Sequence, residues 1–255
     1  MTTATGQPSG RPEWAGSDDY SEWKGWTRAG FGRVTPAQRR YFGWQLARAR
    51  VPPGARVLEL GFGNGAFLGF CRERGLPAVG VESNPNLVAW VRAAGFAAAH
   101  AVEELPPEAR YDLVALFDVL EHVPQAELEP FLSRLAARMA PGGAILVRVP
   151  NGDSPFGRVH QHGDLTHVTA FGESKLRQLA GRCGLALAAI GEAPWHAQPV
   201  GRRTPRALLR GILRWGISRL LGFAFFNRRM DLSANLSAVL RRAGPAPSPV
   251  VGAPG

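Results

Sequence analysis

Four groups of residues in this sequence have types and spacing suited to chemistry. The first is Glu59-Leu60-Gly61-Phe62-Gly63-Asn64-Gly65. Glycines in such a turn let the backbone bend tightly and approach a ligand closely. An acid just before them suits a cationic ligand better than a pyrophosphate, although the run GFGNGA also fits the dinucleotide form of the motif. The second is Glu82, 17 residues after Gly65, where a carboxylate can accept both hydroxyls of a ribose. The third is the stretch from His160 to His167. Histidine is poised near neutral pH and suits general-base work, so His162 or His167 is the candidate base and Asp164 can orient one of them. The fourth is Asp118, Glu121 and His122, at i, i+3 and i+4, which fall on one face at a helix start. Hard oxygens with one imidazole could hold a divalent ion. The favoured reading is nevertheless a capped helix start with His122 packed behind the site, and no metal is expected.

These residues need a frame, and the remaining pattern supplies one. Thr35-Pro36-Ala37-Gln38 is a capping box with proline at the first helical position, opening a helix to about Arg50. Short apolar runs then alternate with helical stretches: strands at 56–60, 78–82, 96–101, 111–118, 144–149, 185–190 and 235–240, helices at 66–74, 84–94, 125–139 and 172–183. Residues 150–171 read as a long loop bearing the histidines. Apolar strands alternating with helices predict an α/β fold with a parallel sheet covered on both faces. The glycine turn after the first strand places a ligand at the carboxyl ends of the strands.

The runs VLELGFGNG, VGVESN, YDLVALFDVLEHVP and APGGAILVRVPN, in that order, resemble the class I S-adenosylmethionine-dependent methyltransferases. Within that class the likeness is to the branch with D-x-x-E-H after the fourth strand, which includes glycan and quinone O-methyltransferases. The resemblance covers about residues 35–243. It implies a Rossmann-like seven-stranded mixed sheet whose last strand is antiparallel, with S-adenosyl-L-methionine as cofactor. It further implies that Glu59, Gly61, Gly63 and Gly65 hold the methionine end, Glu82 the ribose, and Phe117 and Asp118 the surroundings of the sulfonium. Many relatives carry an acid for the adenine amine where this chain has Ala101, so adenine contact falls to the backbone near Val102 and Glu103.

The flanks are different in kind. Residues 1–34 form an N-terminal segment, partly disordered by composition, whose aromatics Trp23 and Trp26 could stack on a ligand or simply pack as a cover. Residues 244–255 read as a disordered tail. The resemblance implies a methyltransferase domain over 35–243, with an insert at 191–234 between strands six and seven. Charge concentrates there: residues 1–200 hold 20 basic and 19 acidic side chains, whereas residues 201–255 hold ten arginines and one acid. Arg206, Arg210 and Arg214 recur every four residues opposite Leu208, Leu209, Ile212 and Leu213, which predicts a basic amphipathic helix over 205–226. Such a helix fits an anionic membrane surface, with packing on its own domain as the competing reading.

Two cysteines exclude a disulfide scaffold. No run of about 20 apolar residues is present to span a bilayer, and no apolar leader is read at the start. The expectation is a cytoplasmic enzyme, peripheral at the inner face of the membrane, acting on oxygen of a glycan, lipid-linked or other small-molecule acceptor. An RNA or DNA methyltransferase is the first alternative. It is disfavoured because Asp118-Val119-Leu120-Glu121 replaces the Pro-Pro-aromatic run of base amino-methylators. A nicotinamide-dependent oxidoreductase is the second, disfavoured by Glu59 before the glycines.

Overall fold

The computed structural model describes residues 18–191, 205–226 and 231–243. The expected mobile start at 1–19 lies outside the described residues up to residue 17, whereas Asp18 and Asp19 are helical, and the expected tail at 244–255 lies outside the described residues. In chain order the strands are β1 (Val57–Leu60), β2 (Ala78–Val81), β3 (Ala97–Ala99), β4 (Tyr111–Phe117), β5 (Met139–Pro150), β6 (Leu185–Ile190) and β7 (Asn235–Arg242). They form one seven-stranded sheet in the order β3-β2-β1-β4-β5-β7-β6. β7 runs antiparallel to both its neighbours, and the β1–β2, β1–β4, β2–β3 and β4–β5 pairs are parallel. This is the Rossmann-like sheet with an antiparallel last strand that the sequence pattern and the resemblance imply.

The helices are α1 (Asp18–Trp23), α2 (Pro36–Arg48), α3 (Ala66–Glu73), α4 (Pro85–Ala93), α5 (Leu128–Ala137), α6 (Arg158–His162), α7 (Glu173–Arg182) and α8 (Pro205–Leu221), which continues as a π-helical turn at Gly222–Phe226. Local chemistry sets their starts. Thr35 accepts from the Gln38 backbone while Gln38 reaches back, the full capping box, with Pro36 behind it. Asn84 accepts from the N–H groups of Asn86 and Leu87 and holds Pro85 at the first turn of α4.

Two expectations shift. The stretch at 150–171 is not wholly loop: it contains α6, too short and too polar for its periodicity to register. β5 begins at Met139, where a helix end was expected, because Tyr111 pairs with Met139 before the register slips around Pro141-Gly142-Gly143.

Both faces of the sheet are covered, and alternate residues of β4 show it. Val114 and Leu116 enter one core with Leu132 and Leu135 of α5 and Leu176 of α7. Leu113, Ala115 and Phe117 enter the other with Tyr41 and Phe42 of α2 and Phe67 and Phe70 of α3. Burial on both sides is why β4 reads as an unbroken apolar run rather than an alternation. The sheet's carboxyl edge is left to the loops, and the site lies there.

Candidate active site

A cleft of about 280 Å³ opens at this edge. Gly61, Glu82, Val102, Glu103, Asp118 and His122 all line it. The turn after β1 bends through three left-handed glycines, Gly61, Gly63 and Gly65, at φ 65°, 51° and 71°. The bare α-carbons matter as much as the dihedrals. A methyl group on Gly63 would stand 2.8 Å from the Trp26 ring, and one on Gly65 would stand 2.3 Å from the Phe31 ring. The N-terminal segment is therefore seated on the glycine turn, with the Gly32 amide also donating to the Asn64 carbonyl at 2.8 Å. Trp26 borders the cleft; Trp23 is exposed, with the Lys24 ammonium 4.4 Å from its ring.

Glu82 is half-buried at the end of β2, and its carboxylate accepts from Ser83 Oγ at 3.3 Å and the Asn84 amide at 3.2 Å. Val102–Glu104 forms a single 3₁₀ turn on the cleft wall. Glu59, Gly63, Gly65 and Phe117 lie elsewhere than the cleft lining. Glu59 is buried under the glycine turn with Oε2 lacking a hydrogen-bond partner among the described residues, and burial pushes its carboxyl well above the usual range. Phe117 packs against Phe42 and Phe67 in the core.

Asp118 takes the left-handed conformation at φ 57° just past β4. Its carboxylate is gripped by both arms of Arg148 on β5, with Nε donating to Oδ1 at 2.8 Å and the terminal nitrogen bonded to Oδ2. This alters the expected trio of Asp118, Glu121 and His122. Asp118 is drawn sideways to the neighbouring strand, and the cluster that forms is Glu121, His122 and His167, with one ligand atom from each within 4.8 Å of the others. Neither carboxylate oxygen of Glu121 has a hydrogen-bond partner among the described residues. Its backbone carbonyl accepts from the amides of Val168 and Thr169, stapling the turn after β4 to the histidine loop. Burial, then the charge of Asp118, raises the Glu121 carboxyl well above the usual range.

Of the expected bases, His162 ends α6 as an exposed residue and does not line the cleft. A five-residue helix carries it outward. His167 sits behind the cleft wall, its ring 4.6 Å from that of His122 in an edge-to-face arrangement. Its Nε2 lies 3.7 Å from Asp164 Oδ2, so Asp164 is placed beside His167 rather than His162. Asp164 Oδ1 accepts from the amide and hydroxyl of Thr166, and Oδ2 accepts from Lys24 at 3.0 Å. Burial opposes the Asp164 charge, but these bonds outweigh it and bring the carboxyl down to about 2. Burial lowers the His167 pKa and keeps the ring neutral. Two histidines reach the cleft: His100, beside the Val102–Glu104 turn, and His122, whose Nδ1 lies 3.3 Å from the Thr166 carbonyl oxygen on the side of the histidine loop. Sequence reasoning assigned His122 only to a metal trio or to packing. It also missed Arg148, although a charge inside the apolar run Ile145–Val149 signals an acidic partner.

The fold and this cleft can be set beside known proteins. The model of the methyltransferase domain family matches residues 37–190, and the chain belongs to that family. It carries a methyltransferase domain with the class I fold, a class whose members use S-adenosylmethionine. An S-adenosylmethionine-dependent methyltransferase of Archaeoglobus fulgidus superposes with a TM-score of 0.58 at 21% identity, over 79% of this chain and 93% of that one. Magnesium protoporphyrin IX methyltransferase of Synechocystis PCC 6803, solved with S-adenosylhomocysteine bound, gives 0.55 at 16% identity over 91% and 97%. Among curated proteins, the ubiquinone biosynthesis O-methyltransferase of Bradyrhizobium diazoefficiens is 28% identical over 127 residues, 47% of this chain and 49% of that protein. That of Rhodopseudomonas palustris is 30% identical over 105 residues, 38% and 41%. The chain thus spans no more than about half the length of these curated relatives.

Proposed function

We propose that this chain transfers the methyl group of S-adenosylmethionine to a hydroxyl oxygen of a small acceptor, the acceptor's proton passing to His122. The supporting observation is one cleft with a ribose-competent carboxylate, Glu82, and an imidazole, His122, on its walls. The residues fit the cofactor. Gly61 brings bare backbone to the cleft wall where a methionine end would lie, and Gly63 and Gly65 shape the turn behind it under Trp26 and Phe31. Glu82 holds only a hydroxyl and an amide at 3.2–3.3 Å, bonds that two ribose hydroxyls can replace. The Val102–Glu104 turn offers backbone for an adenine edge. Glu59, buried and shifted toward its neutral form, supports the turn from below instead of pairing with a charge.

When bound, S-adenosylmethionine supplies an electrophilic methyl on a sulfonium; the chain's task is to align an oxygen and remove its proton. With Nδ1–H of His122 donating to the Thr166 carbonyl, Nε2 is left as the proton acceptor. His167, held neutral by burial, packs edge-on against that ring and fixes its plane, and Asp164 holds the loop bearing both Thr166 and His167. A phenol-like hydroxyl, with a pKa of about 10 as in tyrosine, matches one imidazole base far better than an aliphatic sugar hydroxyl. The names of the curated relatives favour the same choice. Incubating the protein with labelled S-adenosylmethionine and a panel of catechols, hydroxyquinols and lipid-linked glycans tests the reading. We expect a methyl ether on a phenolic oxygen. Methylation confined to the glycans would overturn the acceptor class, and absence of S-adenosylmethionine binding in calorimetry would overturn the whole proposal.

A further inference from the structure

The insert helix presents its surfaces the wrong way round for a helix packed on its own domain. Between residues 201 and 230 the sequence holds eight arginines and no acid. In α8 and the turn after it, Leu208, Leu209, Ile212, Leu213 and Trp215 are each 54–57% exposed, and Phe223 and Phe225 reach 82% and 73%. What is covered is a narrow edge with buried Ser218 and Gly222. The apolar side therefore stays in water, opposite to what the packed-helix alternative requires. On the helical wheel Arg210 and Arg214 lie opposite this apolar side, and Arg219 lies over Trp215 with its guanidinium 5.4 Å from the ring. Among the described residues no helix is long and apolar enough to cross a membrane.

We infer that residues 205–226 dock this protein on an anionic lipid surface, the apolar side entering the headgroup boundary and the arginines meeting lipid phosphates. Charge complementarity selects this occupant. A stretch with eight arginines and no acid repels a second copy of itself, and a nucleic-acid groove has no use for seven outward leucine, isoleucine, tryptophan and phenylalanine side chains. Apolar bulk, a tryptophan and a cationic side on one helix are what interfacial binding needs, and the exposed patch is of a kind that marks an interaction site. The insert is rooted at the edge where the cleft opens. It leaves β6 after Ile190 and re-enters at Asn235, which pairs with Pro150 at the end of β5. Asn151, next to that point, donates to the carbonyls of Asp231 and Ser233. Docking by α8 therefore holds the carboxyl edge of the sheet near the lipid. This inference goes beyond the proposed reaction and does not depend on it.

Co-sedimentation of the full chain tests it, with vesicles of mixed phosphatidylglycerol and phosphatidylcholine and with vesicles of phosphatidylcholine alone. The protein should pellet with the anionic vesicles at low salt. It should be weakened but not released at high salt, because the apolar contribution is not screened. Changing Arg210, Arg214 and Arg219 together to Glu should lower partitioning ~100-fold or more, at about 1 kcal/mol per charge near the surface. Leu209→Ser with Ile212→Ser should abolish the salt-resistant part. Both variants alter exposed side chains, so an unchanged melting temperature and unchanged S-adenosylmethionine affinity are expected and confirm folding. Wild type remaining in the supernatant with anionic vesicles at low salt overturns the inference. So does a dimer in light scattering that Ile212→Asp dissolves, or RNA binding with a steep salt slope and no lipid preference.

Discussion

Lys24 and Asp164 are 140 positions apart in the chain and meet at 3.0 Å. The lysine belongs to the segment seated on the glycine turn, and the aspartate anchors the loop that carries His167, so one ion pair ties the cover of the cleft to its histidine wall. Asp164 is buried and its carboxyl is held at about 2, below its ordinary 3.8. A folded pKa below the unfolded one means stability that is present above about pH 4 and lost as pH falls toward 2, worth about 2 kcal/mol. Urea titrations across that window should show the loss in the wild type. Asp164→Asn should be less stable at neutral pH and nearly flat through the acid range; an equal acid slope in both proteins would remove Asp164 from the account.

Replacing Glu82 by Ala takes a charged acceptor from the cleft. Hydrogen bonds to a charged group contribute about 1.5–3 kcal/mol, so S-adenosylmethionine should bind roughly 10- to 150-fold more weakly. Calorimetry with the cofactor alone reads this directly, and an unchanged affinity would place the ribose elsewhere.

The three histidines should separate kinetically. His122→Ala should lower turnover by about 100-fold, the usual contribution of a positioned base, with cofactor affinity kept. His167→Ala should cost less, since it supports His122 rather than meeting the acceptor. His162→Ala, at an exposed position outside the cleft lining, should leave turnover unchanged. Equal losses in the His162 and His122 variants would return the base to the end of α6.

Glu121 makes an opposite prediction in pH. Burial raises its folded pKa well above the ordinary value, so its neutral form favours the native state below about pH 4.5 and that advantage fades as pH rises. Melting temperatures taken from acid to mildly alkaline pH should fall for the wild type and fall less for Glu121→Gln. Parallel curves would show that the buried carboxyl does not carry the alkaline loss.

What could be read from the sequence was local. Glycines at 61, 63 and 65, the capping box at Thr35 and the apolar run of β4 announce themselves within a few residues, so the α/β pattern and the place of the cleft followed from them. What could not be read depends on partners far along the chain. Asp118 turns from Glu121 and His122 because Arg148 stands on the adjacent strand. His167 gains Asp164 and His122 because Glu121 staples two loops together. His162 and His167 are alike in sequence, and only the five residues of α6 decide which faces out.

The position of β7 bears on how the chain comes to be folded at all. The last of the seven described strands in chain order is not at the rim of the sheet but between β5 and β6. Ser237 within it accepts from the buried amide of Gln45, itself bonded to the Tyr41 hydroxyl, on α2 near the opposite end of the chain. Until about residue 242 has left the ribosome, two strands lack their common neighbour and these α2 side chains lack Ser237. A chain arrested before β7 is left with two open strand edges beside a basic, apolar helix, the state most exposed to aggregation and proteolysis.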